Sequence, residues 1–292
     1  MAHVTRRRAL TVALATAAAG VAVPTTTAAA APAGPRGPRP LRHAHAHNDY
    51  LHPRPLHDAL AHGFTSVEAD VFLVDGELLV AHEPATLDPT RTLASLYLDP
   101  LAALVRAGHG GVHPHHRAPL QLLIDIKADG VAAYQELDRQ LRRHHRLFTR
   151  YQHGRVVPKA VTAVISGDRA ARAPMEAQRT RLAFYDGRLD DLGTPAPASF
   201  APLVSANWTQ SFGWLGAGPF PRAERDRLRT LVTTAHREGR RIRFWATPDV
   251  AGPEREAVWS ELLAAGVDHL NTDDLAGLES FLRARRNTTA IP

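Results

Sequence analysis

Eight short apolar or alternating segments, separated by longer segments of helical periodicity, constrain the fold of this chain more than any other feature. The strand candidates are residues 41–47, 66–73, 120–127, 160–166, 181–186, 203–208, 241–246 and 267–272. Helical periodicity fills residues 54–62, 93–107, 130–148, 168–180, 221–238, 253–265 and 274–285. Alternating strands and helices predict a parallel sheet, and eight strands suffice to close a single (β/α)₈ TIM barrel of the α/β class.

A hairpin is predicted directly after the second strand. The residues Asp75-Gly76 separate the apolar run that ends at Val74 from a second run that leads to His82. Asp-Gly between two such runs is typical of a tight β-turn. The strand is therefore expected to fold back and to bring His82 towards Asp70.

The N-terminal region predicts export. Residues 1–31 combine a basic start, Arg6-Arg7-Arg8, with an alanine-rich apolar middle and small residues at the end, which is typical of a signal peptide. The run Thr5 to Leu10 also resembles the twin-arginine signature. Residues 32–40 are rich in proline and glycine and predict a leader, so that the barrel domain covers residues 41–288 of a secreted protein.

Composition excludes several classes of partner and bond. The formal net charge of +6 falls by three when Arg6, Arg7 and Arg8 leave with the signal, and no basic stripe with interleaved aromatic residues indicates a nucleic-acid partner. Cysteine is absent, so no disulfide is expected. No apolar stretch after the signal is long enough for a transmembrane segment. Transient contact with a membrane surface stays possible, and the sequence does not predict the oligomeric state.

Two carboxylates on one strand predict a metal site. In the segment from Ser66 to Val71, the period of two places Glu68 and Asp70 on one face and apolar residues on the other. Adjacent carboxylates repel each other unless a cation lies between them. Oxygen ligands without cysteine favour a divalent cation, Mg²⁺ or Ca²⁺, as the cofactor.

Two histidines near these acids predict proton transfer. His47 ends the first strand, and His82 follows Asp70 by twelve residues, just after the predicted hairpin. Imidazoles exchange protons near neutral pH, so one can accept a proton from an attacking oxygen while the other donates a proton to the leaving oxygen. His47 and His82 are therefore predicted to be catalytic, with His45 as the alternative to His47.

At these residues the chain resembles the superfamily of glycerophosphodiester phosphodiesterases and phosphatidylinositol-specific phospholipases C. The run His47-Asn48-Asp49-Tyr50 is similar to a His-Asn-x-Tyr stretch of the phospholipases, and Glu68-x-Asp70 followed by His82 is similar to the next block. The likeness covers residues 45–127. The His-Arg-Gly opening of the glycerophosphodiesterases is absent, because Ala46 precedes His47 and Asn48 follows it.

The resemblance implies further roles. Asn48 and Asp125 would join Glu68 and Asp70 as metal ligands, and Lys127 would contact a phosphate oxygen. The substrate implied is a small-molecule or lipid phosphodiester, cleaved by histidine acid-base catalysis. Attack by a hydroxyl of the substrate would give a cyclic phosphate, and attack by water an open monoester.

Later strand ends carry weaker signals. Trp245 is expected either in the core or in the wall of the substrate site, and it is assigned to substrate binding. Asp273 is expected to cap the last helix rather than to act in the site. Arg240, Arg241 and Arg243 surround a strand start and are expected at the far, stabilising end of the barrel.

Two other functions fit parts of the pattern. The alternation His43-x-His45-x-His47 is similar to the opening of amidohydrolase barrels, where paired histidines bind zinc, although no further histidine follows at the ends of strands five and six. A catalytically inactive barrel that binds lipid headgroups or sugars is the other alternative. The main prediction is an exported, metal-dependent phosphodiesterase.

Overall fold

A computed structural model describes residues 38–114 and 116–289, and the side chains of residues 286–289 are not described. The predicted signal peptide, residues 1–31, and most of the predicted leader, residues 32–37, lie outside the described residues. Over those that are described, no helix combines the length and the apolar character needed to cross a membrane.

Eight parallel strands form a closed barrel, which confirms the predicted fold. The order around the barrel is β1-β11-β10-β9-β8-β7-β4-β2, and pairing of β1 with β2 closes the ring. All eight predicted strands belong to it. The strands are β1 (Leu41–Ala46), β2 (Phe64–Val74), β3 (Glu77–Val80), β4 (Leu120–Ile126), β5 (Arg150–Gln152), β6 (Arg155–Val157), β7 (Val161–Gly167), β8 (Ala183–Gly187), β9 (Leu203–Asn207), β10 (Arg241–Trp245) and β11 (His269–Thr272).

Two short antiparallel pairs accompany the barrel. Strand β2 continues beyond the ring and pairs with β3 from Val71 opposite Val80 to Val74 opposite Glu77, with Asp75 and Gly76 in the turn. Strands β5 and β6 form a separate hairpin before β7.

Helices follow the strands and cover the outside. They are α1 (His57–Ala61), α2 (Asp99–Ala107), α3 (Gly130–Arg143), α4 (Arg172–Glu176), α5 (Trp208–Ser211), α6 (Arg222–Arg237), α7 (Pro253–Ala265) and α8 (Leu275–Thr289). The predicted helix over 93–107 is interrupted, because a π-helical turn, Ala94–Leu98, precedes α2. Pro100 explains the change, since it has no N–H to donate and its ring crowds the carbonyl four residues earlier.

The alternation of each strand divides the core into an outer and an inner part. Side chains such as Leu122, Ile124 and Ile126 of β4 pack with the helices, whereas Leu123 belongs to a separate inner cluster. The inner cluster consists of Leu123, Val164, Phe184 and Leu203, from β4, β7, β8 and β9. Buried polar side chains are concentrated in the other half of the interior, on β1, β2, β10 and β11: His45, Ser66, Glu68, Arg243, His269 and Asn271. Further buried polar side chains lie on β4, β7, β8 and β9: Gln121, Ser166, Asp186 and Ser205.

We expect Gly167→Ala to destabilise the barrel strongly. Gly167 ends β7 at a φ of +81°, and an added Cβ would lie 2.7 Å from Ile126 N and against Asp125 Oδ1. Gly154 has a similar φ of +74° with no atom within 4 Å of an added Cβ, so Gly154→Ala measures backbone strain alone. In urea denaturation we expect a loss of about 1 kcal/mol for Gly154→Ala and about 3 kcal/mol for Gly167→Ala. Equal losses would contradict this account.

Candidate active site

Three carboxylates meet at the carboxyl ends of β2 and β4. Glu68 and Asp70 share a face of β2, and Asp70 lies beside Asp125 in the parallel register. One oxygen from each side chain lies within 4.8 Å of the others. Parallel strands place their carboxyl ends at one edge of the barrel, which is why residues 57 positions apart along the chain converge here.

The cluster fits a hard divalent cation. Asp70 is buried, and its Oδ1 has no hydrogen-bond partner among the described residues. Burial, together with the charges of Asp70 and Glu68, raises the pKa of Asp125 to about 6 against the opposing effect of Lys127. A dication among these oxygens would relieve both the unsatisfied acceptor and the mutual repulsion. Glu68, Asp70 and Asp125 are therefore the side chains that could hold one.

Lys127 lies at the edge of this cluster, one residue beyond β4. Its Nζ is 2.7 Å from Asp70 Oδ2 and 3.5 Å from Asp125 Oδ1. Burial alone would lower the pKa of Lys127, but the charges of Asp125 and Asp70 outweigh it and raise the pKa. The ammonium group therefore stays charged beside the carboxylates of Asp70 and Asp125.

His47 stands on one side of the carboxylates. Its Nδ1 is 2.8 Å from Asp273 Oδ1, and its Nε2 is 3.9 Å from Glu68 Oε1. Since a carboxylate only accepts, Nδ1 carries the proton and donates it to Asp273, which leaves Nε2 for proton exchange. Burial alone would lower the pKa of His47, but the hydrogen bond to Asp273 and the charge of Glu68 raise it overall.

His82 stands on the other side, immediately beyond β3. Its Nδ1 is 3.0 Å from Asp70 Oδ2, and its side chain is 54% exposed. The β2–β3 hairpin positions it, because the pairing of Val71 with Val80 returns the chain to the level of Asp70. The carboxylate of Asp70 again orients the ring by accepting from Nδ1, so that Nε2 is the atom available to a substrate.

Asn48 and Tyr50 lie between the two histidines. Asn48 has a φ of 47°, and its amide nitrogen lies 2.9 Å from His47 Nδ1 and 3.4 Å from both oxygens of Asp273. The Tyr50 hydroxyl is 2.8 Å from Asn48 Oδ1, 2.6 Å from Asp70 Oδ2 and 3.1 Å from His82 Nδ1. Burial and the charge of Asp70 raise the pKa of Tyr50, so the hydroxyl keeps its proton and acts as a donor.

Arg243 corrects one of the sequence predictions. It does not lie at the far end of the barrel but is buried in the middle of β10, where its guanidinium forms an ion pair with Glu68 Oε2 and donates to His45 Nε2 at 2.6 Å. Burial would raise the pKa of Glu68, but the charge of Arg243 holds it well below its usual range. The alternation Arg241-Ile242-Arg243-Phe244-Trp245 was the signal, since it places Arg243 on the same face as Trp245.

His45 and His47 occupy different environments. His45 is fully buried beneath the carboxylates, and burial together with the charge of Arg243 lowers its pKa to about 4. His45 is therefore neutral, whereas His47 is partly exposed at the mouth. His43 lies further down the same strand face and contacts the backbone carbonyls of Val267 and Asp268.

Two predictions at the end of the chain have different outcomes. The prediction that Asp273 caps α8 is wrong, because its carboxylate binds His47, while Asp274 Oδ1 accepts from the N–H of Gly277 in the first turn.

Trp245 ends β10 beside Asn207 of β9, and it is 37% exposed. It is therefore not part of the buried core, and its role in substrate binding stays a prediction.

Comparison with known proteins matches two segments of the chain to families described as phosphodiesterases. The sequence profile of the AIM6-like phosphodiesterase domain matches residues 39–186, which contain both histidines and all three carboxylates. A profile of the glycerophosphoryl diester phosphodiesterase family matches residues 241–276, which contain Arg243 and Asp273.

Fungal relatives match across most of the chain. The altered inheritance of mitochondria protein 6 homolog of Arthroderma benhamiae is 30% identical over 261 residues, covering 81% of this chain and 82% of the relative. The altered inheritance of mitochondria protein 6 of Eremothecium gossypii is also 30% identical, covering 82% and 69%. A crystal structure of a glycerophosphoryl diester phosphodiesterase from Parabacteroides distasonis aligns with 88% of each chain, at 13% identity and a TM-score of 0.46.

We expect Asp273→Asn to lower the pKa of His47. The substitution keeps the shape of the side chain but removes the negative charge that stabilises the protonated imidazole, so His47 loses its proton at a lower pH than in the parent protein. Histidine NMR titration in the absence of metal measures the shift, with the His47→Gln spectrum assigning the resonance. Asp226→Asn, which removes an exposed carboxylate on α6, is the control and should leave the titration of His47 unchanged. An unchanged pKa in Asp273→Asn would contradict the assigned pairing.

Proposed function

We propose that this chain, which belongs to the AIM6-like phosphodiesterase domain family, is an exported, metal-dependent phosphodiesterase. Its proposed substrate is a phosphodiester of lipid-headgroup or glycerophosphodiester type. The observation that carries the proposal is the placement of two imidazoles, each oriented by a carboxylate, on either side of three clustered carboxylates and a lysine.

The proposed cofactor is Mg²⁺ or Ca²⁺. Glu68, Asp70 and Asp125 would hold it, with Asn48 as a further oxygen ligand. When bound, the cation would polarise the phosphoryl oxygen and lower the pKa of the attacking hydroxyl group or water. The unpartnered Asp70 Oδ1 and the raised pKa of Asp125 support this assignment.

His47 and His82 are the proposed acid-base pair. Each is held at Nδ1 by a carboxylate, so each presents Nε2, and one can accept the proton of the nucleophile while the other protonates the leaving oxygen. Lys127 would offset the negative charge that develops on a phosphate oxygen. A hydroxyl of the substrate as nucleophile gives a cyclic phosphate, and water gives an open monoester.

We expect His82→Ala to abolish turnover but to keep cation binding, and Asp70→Asn to abolish both. Loss of a positioned acid or base lowers the rate by about 10²–10⁴-fold, whereas loss of a central carboxylate removes a ligand. Phosphorus NMR measures turnover with glycerophosphodiesters, phosphatidylinositol, sphingomyelin and lysophospholipid, and it separates cyclic from open products. Calorimetry measures binding of Mg²⁺ and Ca²⁺. His145→Ala, at an exposed histidine whose ring contacts the backbone carbonyl of Arg142, is the control.

Each alternative function has its own result in this experiment. Equal loss of cation binding in both variants would reassign His82 as a ligand. An intact fold that binds the cation but cleaves no phosphodiester would indicate a binding barrel. Activity restored by zinc alone would indicate an amidohydrolase, although in the described part of the chain the metal-ligand group is Glu68, Asp70 and Asp125, without His43 or His45.

Exposed apolar side chains support a lipid substrate and transient contact with a membrane surface. Leu51, Leu215, Trp245 and Val250 are 67%, 47%, 37% and 88% exposed, and all lie at or beyond the carboxyl ends of barrel strands, where the candidate site opens. Large exposed apolar groups gathered on one side of a protein are typical of an interaction surface.

We expect the double variant Leu215→Ser, Val250→Ser to slow cleavage of a phospholipid in vesicles about tenfold, because two apolar side chains no longer enter the lipid. Cleavage of a soluble glycerophosphodiester should not change. Val156→Ser, at a residue of β6 that is 41% exposed away from the mouth, is the matched control. An equal effect on soluble and vesicle substrates would argue against surface contact.

Export is proposed from residues 1–31 and their resemblance to a twin-arginine signal. Mass spectrometry of the secreted protein tests the cleavage position near Ala30. Replacement of Arg6 and Arg7 by lysine should retain the precursor inside the cell if the twin-arginine route is used.

A further inference from the structure

The barrel has a second polar region at its amino end, opposite the candidate active site. On β10, Arg241, Arg243 and Trp245 face the interior at three successive levels, so Arg241 lies about 13 Å below Trp245 along the strand. Below Arg241 a cavity of about 180 Å³ opens at the amino end of the barrel. Its polar lining consists of Arg42, His43, Thr65, His116, Arg241, Asp268 and His269.

This cavity carries an excess of positive charge. Arg241 forms no ion pair with any described residue, and its side chain makes one hydrogen bond, from Nη1 to His269 Nε2 at 3.1 Å. Arg42 likewise has no carboxylate partner in the described part of the chain. Asp268 is the acid of the lining, and its Oδ2 is already occupied by the N–H of Ile242 and by His236 Nε2, both at 2.9 Å.

His269 adds a donor and no compensating negative charge. Because a guanidinium only donates, Nε2 of His269 accepts and the ring proton resides on Nδ1, which is buried without a partner among the described residues. Burial and the charge of Arg241 lower the pKa of His269 well below its usual range, so the ring is neutral. Asp268 is thus the one negative charge of the lining that acts on Arg241, and an anion from outside the chain would supply the hydrogen-bond acceptors that the guanidinium lacks among the described residues.

We propose that this cavity binds a small tetrahedral oxyanion, with Arg241 as the main contact and Arg42 at the entrance. The planar guanidinium presents paired N–H groups that match two oxygens of a phosphate or sulfate. The volume is below the roughly 300–1,000 Å³ that is usual for sites of larger ligands. The anion can therefore be the free ion or the terminal group of a small phosphomonoester, and it is bound separately from the carboxylate cluster, with Arg243 between the two.

Histidine NMR on the folded protein tests the proposal, with inorganic sulfate, inorganic phosphate and glycerol 3-phosphate as separate probes at constant ionic strength. We expect saturable shifts of the His43 and His269 resonances, whereas His47 and His82 report any anion at the candidate active site. Arg241→Gln should weaken the response of His43 and His269 by at least about tenfold, as expected for loss of a charged hydrogen-bond donor. Arg222→Gln, which removes an exposed arginine of α6, should leave the affinity unchanged.

Each outcome either identifies the source of the anion or contradicts the proposal. Shifts with sulfate and phosphate identify a free oxyanion, and shifts with glycerol 3-phosphate alone identify an ester terminus. No saturable shift of His43 and His269 with any probe, or an unchanged affinity in Arg241→Gln, would overturn the proposal. If Arg241→Gln does not fold, Arg42→Gln takes its place, with a severalfold loss of affinity expected and an unchanged affinity contradicting the site.

Discussion

The ion pair between Glu68 and Arg243 holds together the polar half of the barrel interior. Both side chains are buried. Glu68 is on β2 and Arg243 is on β10, and the two residues are 175 positions apart in the sequence. Removal of one member of a buried pair typically costs about 3–5 kcal/mol, because the other charge is left without a partner. Arg243 therefore allows Glu68 to remain ionised beside Asp70 and Asp125, where a lone carboxylate would take up a proton.

The same pair explains why two histidines on one strand face differ in their protonation. His45 lies beside the guanidinium of Arg243, which together with burial keeps the imidazole neutral. His47, two residues further, lies between Asp273 and Glu68, whose negative charges favour the protonated ring. Position in the barrel, and not residue type, thus divides a buried structural histidine from one that can exchange a proton at the mouth.

The sequence predicted the barrel and one side of the candidate site because both depend on local patterns. Alternation within each strand identifies the buried faces, and the residues from His47 to Lys127 follow one another over three adjacent barrel strands. The other side depends on closure of the ring, which brings Asp273 to His47 across 226 residues. Periodicity placed Arg243 on the inward face of β10, but it did not show whether the side chain lies at the amino end of the barrel or further along the strand. The sequence predicted Asp273 as the cap of α8, but the next residue, Asp274, accepts the hydrogen bond from the first turn.

Closure of the ring also determines when the candidate site is complete. The polar half of the interior lies at the seam where β1 meets β11 and β2, whereas the inner apolar cluster of Leu123, Val164, Phe184 and Leu203 lies across the barrel. A chain that ended before β10 would lack Arg243 and Asp273. The charge states of Glu68 and His47 therefore depend on the completed ring, and a fragment without β10 and β11 would lack the partners that set them.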